Sequence, residues 1–181
     1  TKTNHKTRNA LCTAIMMVFA CHITSYCAPT KDMALKVTAI EALGNIAESS
    51  SVLTLISYLD DNEFLIQSSA VRAAGKISSP ESFKALKKRL ANKDKRIAIL
   101  IAAILSTQED VVAENIFESG FQDADKLVRL EAIKAAGEFK IASSMPYLIS
   151  FLSDSDSYIK AIAIEAIRSI DPKNKEACDI I

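Results

Sequence analysis

The sequence predicts an all-α fold, an α-solenoid of about four to five two-helix repeats with a 31-residue period. Composition is the first observation behind this. Ala, Ile, Leu and Lys are abundant, Gly and Pro number only four each, and 49% of the 181 residues are hydrophobic. Such a chain is rich in helix formers, poor in turn residues, and long enough for one domain with a substantial core. The second observation is an internal repeat without insertions. A step of 31 links Gly44, Gly75, Ser106, Gly137 and Arg168, and it also links Ala39, Ala70, Ile101, Ala132 and Ala163. Two more rows stay in phase: Ala42, Ala73, Ile104, Ala135, Ala166, and Leu35, Ile66, Ile97, Val128, Ile159. A fixed period of this size means stacked supersecondary units. The third observation is regular polar punctuation, at Asp60-Asp61-Asn62, Asn92-Lys93-Asp94, Asp123-Ala124-Asp125 and Asp154-Ser155-Asp156.

The first element is an address. Residues 1–30 read as a signal peptide or membrane anchor, ahead of a repeat domain at 31–181. Lys2, Lys6 and Arg8 form a basic start, residues 11–20 (LCTAIMMVFA) are apolar, and small and polar residues follow through Ala28 and Pro29. That order is the order of a secretory leader. The uncharged run 9–30 is long enough to span a bilayer, but His22, Thr24 and Ser25 make its second half polar. Cleavage after Ala20 fits the small-residue rule. Val18-Phe19-Ala20-Cys21 also resembles a bacterial lipobox, which would lipidate Cys21; the alternative is a cysteine that merely sits in the apolar leader. Cys12, Cys21 and Cys27 fall in this segment and Cys178 near the other end, with no spacing for zinc or a redox pair.

Within each repeat, helix A has the form LVRLEAIKAAGEF (127–139), with Val128, Ala132, Ala135 and Ala136 on its inner face. Small residues there let helices approach closely. Gly44, Gly75 and Gly137 stand near its end, where Gly relieves either backbone strain or crowding. Helix B carries Val52, Leu55, Ile56 and Leu59 in the first unit, and Met145, Leu148, Ile149 and Leu152 in the fourth, with Pro146 in the first turn. The acids between units suit helix N-caps and turns.

AIEALGNI (39–46), AVRAAGKI (70–77) and VRLEAIKAAG (128–137) resemble the short HEAT-like repeats of the phycobilisome-lyase type. The resemblance covers about residues 34–170. It implies a right-handed superhelix, with A helices outside and B helices lining a concave groove. It also implies a protein-binding scaffold, or alternatively a bilin (tetrapyrrole) lyase or chaperone-like protein.

The residues themselves offer little chemistry. His5 and His22, the only histidines, lie in the leader, so the repeats lack the His-Glu pairs of HEAT-like iron hydroxylases. No glycine loop for phosphates occurs. The expectation is a protein without catalytic, metal or cofactor residues. Net charge is zero, and the chain beyond residue 30 carries three more acids than bases. A nucleic-acid ligand is therefore not expected, although Lys84, Lys87, Lys88, Arg89, Lys93, Lys95 and Arg96 form a basic run. A solvated helix face or an anionic patch on a protein partner explains that run.

Partner-binding candidates come from helix B. With Leu55, Leu86, Phe117 and Leu148 inward, Tyr58, Arg89, Gly120 and Phe151 should face outward, as should Thr54, Ala85, Ile116 and Tyr147. Tyr147 and Phe151 are i,i+4 neighbours. Tyr58, Lys88, Arg89, Tyr147 and Phe151 are the expected groove for an unknown protein partner; the alternative is that the aromatics pack on the neighbouring repeat. The third repeat deviates. IAILIAAIL (97–105) is apolar all round, with Ala103 where its siblings carry Glu41, Arg72, Lys134 and Glu165. Either this helix is better buried, or it presents an apolar patch for a homodimer.

Overall fold

The computed structural model describes residues 30–174. The expected leader with Cys21 lies outside the described residues, as do Ile180 and Ile181. Among the described residues all regular structure is helical. The A helices are α1 (Lys31–Ile46), α3 (Phe64–Ile77), α5 (Lys95–Ser106), α7 (Lys126–Glu138) and α9 (Ser157–Ile170). The shorter B helices are α2 (Val52–Tyr58), α4 (Pro80–Lys87), α6 (Val111–Gly120) and α8 (Met145–Ser150). None of these helices is long and apolar enough to cross a membrane.

The chain divides into two compact units, with the boundary inside α1 after Lys36. In the first unit the Thr30 hydroxyl accepts the Met33 N–H at 3.3 Å, and Asp32 pairs with Lys36 one turn on at 2.8 Å. The second unit, from Val37, holds the solenoid.

Its helices start where the acids sit. Asp94, Asp125 and Asp156 cap α5, α7 and α9 by accepting the N–H groups of Arg96, Leu127 and Tyr158. Just upstream, Asp61, Asn92, Asp123 and Asp154 each accept the N–H two residues on, at 2.8–2.9 Å. Each A helix but the last turns into its B helix through a left-handed residue: Ala47, Ser78, Glu109 and Lys140, with φ between 52° and 59°. None of the four is Gly. The glycines lie one turn earlier and serve the second of their two expected roles. A Cβ on Gly44 would stand 2.7 Å from the Ala73 Cα, and one on Gly137 2.8 Å from the Ala166 Cα. No glycine has a positive φ, so crowding and not strain explains them.

The core follows the sequence rows from α3 onward, whereas in α1 Leu35, Ala39 and Ala42 are exposed. Ala70, Ala73, Ala132, Ala135, Ala163 and Ala166 are buried between successive A helices. Leu55, Leu86, Phe117 and Leu148, one per B helix, are at most 1% exposed and pin each B helix to the A layer. In α5, Ile97 and every residue from 99 to 105 are buried. The all-apolar helix is thus covered by its own chain, and the apolar surface that suggested a dimer is not exposed.

Candidate protein-binding surfaces

Register places charged residues along one face of the A helices. Spacings of seven put Leu65 and Arg72 on one face of α3, and spacings of four, seven and eleven put Leu127, Glu131, Lys134 and Glu138 on one face of α7. Arg72 donates through its terminal nitrogen to Glu131 Oε1 at 2.5 Å, and through Nε to Glu138 Oε2 at 2.7 Å. This contact skips a repeat: α3 reaches α7 across α5. The other ion pairs between repeats among the described residues join neighbours, such as Arg89–Asp60 and Lys95–Asp123.

That span has a geometric consequence. Adjacent helix axes lie about 8–10 Å apart, so in a straight row α3 and α7 are separated by about 16–20 Å. An arginine and a glutamate meet over that distance only by leaning together over Ala103, which is fully buried beneath them. The A helices pack directly on one another, while the B helices touch their own kind little.

On this face, one residue from the first turn of each A helix from α3 to α9 forms a transverse stripe: Leu65, Arg96, Leu127 and Tyr158. Leu65 is 45% and Leu127 54% exposed, while Arg96 and Tyr158 are half-buried. Arg96 lies 3.9 Å above the Phe64 ring and pairs with Asp94 at 2.5 Å, so its guanidinium is held in place.

The residues expected to bind a partner lie on the B layer and are divided there. Tyr147 stacks on Phe121 with ring centres 4.9 Å apart, and its hydroxyl donates to Glu118 at 3.3 Å. Phe151 meets the same Phe121 at 6.4 Å. Phe121 is buried, so this aromatic group fastens α8 to the end of α6, the alternative role foreseen for these rings. Arg89 is forked onto Asp60 at 2.5 and 2.7 Å and also bonds the Ala85 carbonyl. Tyr58 is half-buried and makes no ring contact with the others among the described residues. Lys88 is exposed. Ala85 and Gly120, expected outward, are buried; a Cβ on Gly120 would meet Ile99 at 2.8 Å, because this side of α6 faces α5.

The sequence pattern of HEAT repeats matches residues 27–106 and 114–181, most of the chain. The chain belongs to the HEAT-repeat family. No curated protein matches it.

Between these HEAT repeats the loops carry a ladder of ion pairs. Lys87 reaches Asp110 at 2.6 Å, Lys95 reaches Asp123 at 2.9 Å, and Lys126 reaches Asp156. Each aspartate is held below the usual carboxylate range. The cause for Asp60, Asp94, Asp110 and Asp156 is first the hydrogen bond from its basic partner; for Asp123 it is first the Asp125 N–H, then Lys95. Arg72 differs in being half-buried between two acids. Desolvation works against its charge, but Glu131 and Glu138 together outweigh it and hold the guanidinium protonated.

Two predictions follow from these charges. Arg72→Met leaves Glu131, only 8% exposed, without its partner. It should cost about 2–3 kcal/mol in chemical denaturation. Adding Glu131→Leu, the residue type found one step back at Leu100, should recover most of that loss; additive losses in the double variant would show that the pair is not coupled. The second concerns acid. Aspartates depressed in the folded state stabilise it above their unfolded pKa and lose that contribution as pH falls through the folded values. The melting temperature should stay level down to about pH 5 and fall below about pH 4. A steep fall already between about pH 7 and 5 would assign the acid sensitivity to other groups.

Proposed function

We propose that the protein is a non-catalytic interaction scaffold that holds a protein partner on the A-helix face. The stripe Leu65, Arg96, Leu127 and Tyr158 carries this reading. It combines exposed apolar side chains with a fixed arginine and a tyrosine, the residue types that anchor interfaces. The face behind it is stiffened by the contact of Arg72 with Glu131 and Glu138, so little order has to be gained on binding. HEAT repeats commonly serve as interaction scaffolds, which supports the same reading. The absence of histidine beyond residue 22 fits a role without catalysis, metal or cofactor. The alternative of a bilin lyase has only the likeness of the repeats behind it.

Export or membrane tethering through residues 1–30 belongs to the proposal and is supported by their basic, apolar and small-residue order. The mass of the mature chain reports it: loss of the first twenty residues, with or without a lipid on Cys21, is expected, and an intact start would remove export by cleavage.

For the A face, the full chain should retain a partner from a cell extract that Leu65→Glu/Leu127→Glu loses at an unchanged melting temperature. Tyr147→Ala/Phe151→Ala should lower the melting temperature by removing ring packing, yet keep the partner wherever it stays folded. The reverse pattern, loss only with the Tyr147 and Phe151 pair, would return the binding groove to the B layer.

A further inference from the structure

A second surface lies away from the A face. Between α4 and the turn that begins α6 there is an open hollow of about 540 Å³. Phe83 and Leu105 give it an apolar floor, and Lys84, Lys87 and Lys88 rim it. Lys87 is tied to Asp110, whose carboxylate also caps α6 by accepting the N–H groups of Val112 and Ala113. Lys84 and Lys88 are exposed, and among the described residues neither has an acid within ion-pair distance. Beyond the rim the α6 helix opens with Val111 and Val112, 66% and 62% exposed.

We propose that this hollow binds an acidic peptide segment of a partner protein, one that brings a large apolar side chain to the Phe83–Leu105 floor. The charge argument is local. The described repeats carry bases and acids in near balance, yet three lysines converge here on a single acid that is already engaged. Ammonium groups on flexible stems can follow a carboxylate-bearing strand without fixing its register, while the apolar floor supplies the anchor. A duplex or single strand of nucleic acid needs a basic track across several repeats, and this charge is confined to one. A lipid surface needs a flat or protruding apolar face, whereas Leu105 in this floor is buried, only 2% exposed. The inference is independent of the A-face reading, because the two surfaces share no residue.

The test is selection of a random-peptide display library on the full chain, with the selected peptides then measured against two variants. Enriched sequences should combine Asp or Glu with Leu, Ile, Phe or Trp. Their affinity should drop by roughly tenfold on Lys84→Glu/Lys88→Glu, as expected for reversal of two rim charges. It should be unchanged on Leu65→Glu/Leu127→Glu. Both lysines are exposed, so the first variant should keep the parental melting temperature. Several results overturn the proposal: no enriched peptides, peptides without acidic residues, or equal affinity for the charge-reversed chain. Peptides lost only on the Leu65/Leu127 variant would also overturn it while leaving the A-face scaffold standing. Vesicles containing phosphatidylserine that bind the chain more tightly than neutral vesicles and displace the peptides would replace a peptide ligand with a membrane.

Discussion

Between successive A helices the chain places Gly or Ala where most packed helices place Leu. Gly44 meets the backbone of Ala73, and Gly137 that of Ala166, at separations that leave no room for a methyl group. Ala70, Ala132, Ala135 and Ala163 line the same seams and are fully buried. Close helix axes multiply dispersion contacts along the whole seam and exclude water from it. The B helices have no such seam. Each is short and is pinned to the A layer by one deeply buried side chain, Leu55, Leu86, Phe117 or Leu148. The small residues therefore set how closely these A helices pack.

The charges then take up positions that the stacking permits. Across α5, Arg72 bonds two glutamates on a helix two repeats away, and the small Ala103 leaves the space. Three charged groups around one low saddle are partly shielded from water, which makes their mutual satisfaction matter more than it would on an open surface. On the looped edge the same kinds of residue do a simpler task. Asp94, Asp125 and Asp156 start helices, and the lysines of one repeat reach an aspartate of the next. Such exposed pairs contribute little singly, and their regularity lies mainly in fixing the loop geometry.

A solenoid of this kind offers two faces with different chemistry. The A face has leucines and a held arginine across four helices, and on it Arg72 is paired with Glu131 and Glu138. The B layer is fastened internally by Phe121, Tyr147 and Phe151, and it carries Lys84 and Lys88 exposed. Tyr147 and Phe151 have the type and spacing of interface anchors, and here they also make the contact between α6 and α8 while staying half-buried.

The sequence by itself determined the helical class, the repeated two-helix pattern, the capping acids and most of the residues buried from α3 onward. These are local or periodic properties: hydrophobic spacing fixes which side of a helix is covered, and an aspartate before a helix bonds the nearest free N–H wherever that helix lies. It also exposed α5 as the deviant helix, though not what covers it. The bond from Arg72 to Glu131 and Glu138 was decided only by the tertiary structure, because the residues lie 59 and 66 positions apart and meet only when the A helices are stacked. Its one trace in the sequence is Ala103, a small residue at a position where every sibling repeat carries a charge.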